Sequence, residues 1–160
     1  MAGLITSANV QLALGATGLF SAPQVMQGYS TDDIFDHDMV DMAEVQLGAD
    51  GIGVAGWVPR LNKMTLHFLA PSPASFAFFE AVQQAQDGGA VFGTPGQPSI
   101  CYLFGTVQYP AIGRKYTLYQ GVISRGSAAP DAKRVLSPRA WEITWMPPAQ
   151  GTPAIFGQPM

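Results

Sequence analysis

The stretch from Asn62 to Gln86, NKMTLHFLAPSPASFAFFEAVQQAQ, constrains the fold most, because within it the hydrophobic period changes from two to about three and a half. From Lys63 to Leu69 the side chains alternate. Met64, Leu66 and Phe68 fall on one face and Lys63, Thr65 and His67 on the other, as a half-exposed strand requires. Pro71 stops the strand. Ser72 is placed to cap a helix of about four turns with Pro73 in its first turn, and Gly88-Gly89 supplies the other end. At about 100° per residue, Ala74, Phe78, Ala81, Val82 and Ala85 share a face with Phe79 at its flank. Glu80, Gln83, Gln84 and Asp87 oppose them, and Phe76 lies among the polar residues. No other stretch makes as convincing a helix. The chain is therefore read as mainly β (α+β), an antiparallel β-sandwich or barrel with one flanking α-helix covering an open sheet face.

Strands are expected at Ala8–Leu14, Ile100–Gln108, Lys115–Ile123 and within Leu136–Trp145, where Trp141, Ile143 and Trp145 share a face opposite Glu142 and Thr144. Gly18–Gly28 carries turn formers and amides. Val45 and Leu47 lead into Gly48-Ala49-Asp50-Gly51, a hairpin signal because Asp-Gly accepts the positive φ that the turn needs. The return strand, GIGVAGW, follows a turn and opens no helix, so its glycines signal close strand packing or a bulge and not a dinucleotide loop. Residues 87–99 form a Gly/Pro-rich loop. Residues 1–146 are read as one domain, and 147–160, with Pro147, Pro148, Pro153 and Pro159, as an extended arm without regular structure.

Charged residues make up only 12% of the 160, with 18 Gly and 13 Pro, so the surface is unusually poor in charge. That favours assembly, since exposed apolar surface usually marks a contact. The first twenty residues lack the features of a secretory signal, and no apolar run approaches the roughly 18 residues of a membrane span. A soluble protein without membrane contact is expected. The lone Cys101, in an apolar run, reads as a buried structural thiol.

Asp32, Asp33, Asp36, Asp38, Asp41 and Glu44 place six of the eleven carboxylates within thirteen residues. An EF-hand would need a central Gly that is missing, and His37 has no second His near it, so a solvated acidic patch or interface outweighs a metal or acid-base site. Nucleophile-elbow, phosphate-loop and zinc-ligand patterns are absent, and no enzyme activity, cofactor or metal is expected. Six of the eight basic residues, Arg114, Lys115, Arg125, Lys133, Arg134 and Arg139, lie in the C-terminal part. A chain with opposite poles can associate head to tail, in rings or open filaments. Interface candidates are thus Asp32, Asp33, Asp36, Asp38 and Asp41 against Arg114, Lys115, Lys133, Arg134 and Arg139, with Phe76 reaching a neighbour from the polar face of the helix.

The run Ile112-Gly113-Arg114-Lys115-Tyr116-Thr117-Leu118, then Gly121-Val122, Pro130-Asp131-Ala132-Lys133-Arg134, Pro138-Arg139 and Ile143-Thr144-Trp145, resembles the C-terminal half of tail tube proteins of contractile-tailed bacteriophages. The Asp50-Gly51 hairpin, the Ala55-Gly56 return and the strand-then-helix unit fit the same family, so that the resemblance covers about Gly28 to Trp145. It implies a virion tail protein assembled in the host cytoplasm, a small β-sandwich or barrel forming hexameric rings that stack into a tube for the genome. Its implied partners are copies of itself, the tail sheath, and baseplate and terminator proteins, with DNA passing through the lumen without specific binding. The alternatives are a monomeric sandwich binding a ligand or carbohydrate through Trp57, Trp141 and Trp145, and a minor capsid or baseplate component.

Overall fold

The Met64, Leu66 and Phe68 alternation holds in space, since all three are fully buried while Lys63 is exposed. In a computed structural model of the chain, the described residues are 10–28, 35–58, 60–69, 73–87, 102–127, 129, 138–149 and 151–160. The strands are β1 (Gln11–Ala16), β2 (Phe20–Val25), β3 (Phe35–His37), β4 (Ala43–Leu47), β5 (Gly53–Trp57) and β6 (Asn62–Phe68), followed by the helix α1 (Pro73–Asp87). The strands β7 (Leu103–Tyr109), β8 (Arg114–Gly126), β9 (Arg139–Met146) and β10 (Ile155–Pro159) complete the chain.

All the strand pairings are antiparallel, and the main sheet runs β2-β1-β7-β8-β9-β6-β3. The sheet folds over on itself. Phe35 of β3 meets Tyr109 of β7 at 6.3 Å between ring centroids, although three strands, β8, β9 and β6, separate them along the sheet. Beyond β2, the Leu69 N–H donates to the Gly28 carbonyl at 2.8 Å, joining the end of β6 to the chain that leaves the opposite margin. The result is a mostly β sandwich with one flanking helix, as the periodicity predicts.

Between the layers, Leu12, Leu14, Leu103, Val107 and Leu118 pack with Met64, Leu66, Phe68, Trp141, Ile143 and Trp145 in one core. The helix closes its open margin. Phe78 contacts Phe20 of β2 at 4.8 Å, while Phe79 contacts Phe68 of β6 and stacks on Trp141 of β9. The buried stripe is Ser75, Phe78, Phe79, Val82 and Gln86, spaced three or four apart as a helix face requires. It is rotated from the expected one: Ala74 is exposed, and Ser75 earns its buried place by donating to the Gln27 carbonyl at 2.7 Å and accepting from the Gln27 amide.

Two strands fall where the sequence offered only turns or an arm. β2 includes Pro23, which an edge strand tolerates because one side of its backbone has no ladder to serve. β10 lies within the Pro-rich tail, and its five residues pair with Leu118 back to Arg114 of β8. Its only proline is the terminal Pro159, while Pro147, Pro148 and Pro153 precede the strand. The acidic stretch also contributes β3, paired with β6. The Ser72 cap, Gly88-Gly89, Cys101 and nearly all of the 87–99 loop lie outside the described residues.

Several glycines face an aromatic ring on the neighbouring strand. Gly121 pairs with Trp145 and Gly126 with Trp141 across β8 and β9, and a Cβ at either would meet the indole within 3 Å. Gly105 is tighter still, because a Cβ there would overlap the Ala13 carbonyl of β1, which belongs to the backbone and cannot swing away. Gly105→Ala should lower stability in urea denaturation by about 1–3 kcal/mol. Gly53→Ala, at a position with open space around it, should stay within about 0.5 kcal/mol of the parent.

Candidate assembly surface

Between β3 and β6 the chain leaves the sandwich to build β4 and β5, which pair only with each other. Gly51, at φ 79°, makes the turn, the Gly48 N–H donates to the Ile52 carbonyl, and the Asp50 carboxylate accepts the Ile52 N–H at 3.0 Å. This is the Asp-Gly hairpin. Every residue of both strands is exposed.

The register sorts the two faces. Ala43 pairs with Trp57, Val45 with Ala55 and Leu47 with Gly53, so one face holds apolar side chains and glycine alone. Val45 is 72%, Leu47 76% and Trp57 68% exposed. Glu44 and Gln46, joined by a 2.8 Å hydrogen bond, share the other face with Val54 and Gly56. From Phe35 to Trp57 there are five carboxylates, Asp36, Asp38, Asp41, Glu44 and Asp50, and no Lys or Arg. An isolated two-stranded hairpin is at best marginally stable in water. An apolar face of this kind is the signature of a surface made to be covered.

At the end of the sandwich where this hairpin is rooted lies a groove of about 400 Å³, lined by His37, Asn62, Val107, Tyr109, Ile112, Tyr116, Leu118 and Ile155. Arg114 and Lys115 adjoin it at the start of β8, Arg114 exposed and Lys115 half-buried. Burial lowers the His37 pKa below its ordinary value, and the weaker pull of the Asp36 charge opposes the shift. The ring is therefore neutral at pH 7 and adds no positive charge to the groove.

The predicted interface residues separate into three sets. Asp38 and Asp41 are exposed on the run into β4, and Asp36 lies on β3 with its carboxylate 3.9 Å from the His67 ring across β6. Arg114 and Lys115 share the groove end of the domain with this acidic run. Asp32, Asp33, Lys133 and Arg134 lie outside the described residues.

Arg139 and Phe76 form the third set, and their positions correct the expectation. Arg139 is only 3% exposed: its guanidinium pairs with Glu80 of α1, donates to the Ser127 carbonyl at 2.8 Å, and sits 4.5 Å from the Trp141 ring centroid. It serves the subunit itself and offers no charge to a neighbour. The Phe76 ring lies 5.5 Å from that of Trp141 and 5.6 Å from the same guanidinium, packed against the core. The helix face that looks polar is thus a second contact face, where Glu80 and Gln83 reach buried partners and Phe76 fills the space beside them. Gln83 accepts from the Trp141 indole N–H at 3.0 Å and donates to the Ser127 carbonyl.

Trp141 and Trp145 are fully buried, which removes two of the three rings of a carbohydrate platform and leaves Trp57 on the hairpin. Among the described residues, no group of three or more His, Cys, Asp or Glu could hold a metal ion. Among them too, no helix is long and apolar enough to cross a membrane.

A β-sandwich subunit with a projecting apolar hairpin is a fold and surface suited to a structural component of a larger particle, here the bacteriophage tail. Residues 4–148 match the family described as Tail fiber protein gp32, and the chain belongs to that family, whose place is the virion tail. No curated protein matches the chain.

The Arg139–Glu80 pair yields an asymmetric prediction. Glu80→Ala leaves a guanidinium buried without its counter-charge and should cost about 2–3 kcal/mol, below the usual range for a fully buried pair because Glu80 itself reaches water. Arg139→Met removes the charge, keeps a chain against Trp141, and should cost about 1 kcal/mol. Urea denaturation of the two variants measures the difference.

Proposed function

We propose that this chain is the subunit of a tail tube, self-assembling into stacked sixfold rings around a lumen through which the genome passes. The observation that carries the reading is the β4–β5 hairpin, whose apolar face is uncovered in the single subunit. Covering Val45, Leu47 and Trp57 contributes about 1.5–3 kcal/mol for each side chain fully buried. A surface ion pair contributes about 0–1 kcal/mol. Apolar burial therefore supplies the affinity. The hairpin carboxylates, meeting Arg114 and Lys115 of an adjacent copy with Lys133 and Arg134 as further candidates, set register and direction by penalising like-charge contacts.

Sixfold symmetry, the tail sheath, and the baseplate and terminator proteins enter through the resemblance to contractile-tail tube proteins. On this reading the protein is structural and not an enzyme, binds no cofactor, and needs no specific contact with DNA. With net charge −3 and four of its eight basic residues, Arg114, Lys115, Lys133 and Arg134, committed to subunit contacts and Arg139 buried, the lumen is neutral to negative and lets DNA slide. The family's description as a tail fiber protein favours a second reading, a fibre or minor tail component.

Electron microscopy of the purified protein separates the two readings. Tubes of uniform diameter are the expected result, and a protein that stays monomeric at all concentrations and salts would sink the tube. Val45→Asp combined with Leu47→Asp should abolish assembly while leaving the melting temperature of the subunit within about 2 °C, since surface changes cost about 0.5 kcal/mol or less. A large drop in that temperature would instead place the hairpin in the subunit's own folding core.

A further inference from the structure

The C-terminal strand β10 occupies a position that another chain could take. β8 is thirteen residues long and is covered on one margin by β7. Its other margin is divided: β9 pairs with Gln120–Gly126, and β10 with Arg114–Leu118. Without β10, the first half of β8 is an open sheet edge, a ready template for a strand from another molecule.

β10 is lightly held. It has one ladder, extended by the Tyr119 N–H donating to the Ala154 carbonyl and the Met160 N–H donating to the Gly113 carbonyl. Ala154 and Ile155 anchor its start, whereas Phe156 is 45% exposed. A segment containing Pro147, Pro148 and Pro153 connects it to β9, so release of the strand breaks no other element. The family match ends at residue 148, before β10 begins. Ile155 also lines the groove beside Tyr116 and Leu118, and its departure widens the groove at the margin where Arg114 and Lys115 stand.

We infer that β10 is a displaceable guard strand: in the free subunit it covers the β8 edge, and on assembly the β4–β5 hairpin of a second copy takes its place. The occupant follows from complementarity. The hairpin brings open strand edges, an apolar face for the widened groove, and carboxylates without a single cation, while the β8 margin brings Arg114 and Lys115. This inference rests on the self-assembly proposed above. It adds what keeps a freshly folded subunit from pairing at random, since an edge already paired must be vacated before it can associate.

The test is a reversible lock. In a Cys101→Ser background, Thr117→Cys and Phe156→Cys place thiols at a facing pair of β8 and β10. Oxidised subunits should yield at least tenfold less sedimenting polymer than reduced ones, and adding reductant should restore it. A second variant acts in the opposite direction. Gly157 lies against the Tyr116 ring, which a Cβ there would meet at 2.8 Å, so Gly157→Val loosens the strand and should lower the concentration at which assembly begins. Equal assembly by locked and reduced subunits overturns the guard strand while leaving self-assembly intact. If the reduced protein and Gly157→Val both remain monomeric, self-assembly fails and the inference fails with it.

Discussion

The contact of Trp141 with the helix decides whether sheet and helix act as one body. Its ring is stacked on Phe79 at 5.0 Å and 19° and edged by Phe68 and Phe76, with Arg139 over it and its N–H satisfied by Gln83. Gly126 on the next strand leaves room for the indole. Aromatic burial of this size supplies much of the energy in a small core, and the polar tip needs a partner when no water reaches it. The same cluster draws Ser127 toward α1 through Arg139 and Gln83. It thereby fixes where β8 ends.

Much of the scaffold was legible because period and turn chemistry are local. The strand at Asn62–Phe68, the helix behind it, the Asp50-Gly51 turn and the buried Trp141, Ile143 and Trp145 face all follow from spacing that neighbouring residues set among themselves. β10 was not legible, since four prolines in fourteen residues argue against a strand and only the bare half of β8 makes five of those residues pair. Phe76 packs inward for a related reason. A helical projection assumes one contact face, and here the sheet bends far enough around α1 to reach a second.

The candidate surface was readable only in part. Its acidic character and its hairpin are plain in the sequence, but alternating apolar residues at Val45, Leu47, Ala55 and Trp57 look the same whether a second layer covers them or not. Exposure is a property of the whole fold. The two kinds of interaction also divide their tasks: charge distribution says which ends can meet, whereas uncovered apolar area says where the contact has its strength.

The thirteen-residue span of β8 carries a mechanical consequence. β7 grips its first half on one side, with β10 in the free subunit or the strand that replaces it on the other, and β9 grips the second. A pull along the strand loads those ladders in shear, so that many hydrogen bonds must yield together, whereas a pull across it would unzip them one at a time. A subunit oriented with β8 along the direction of tension behaves as a stiff tie, and one oriented across it as a hinge.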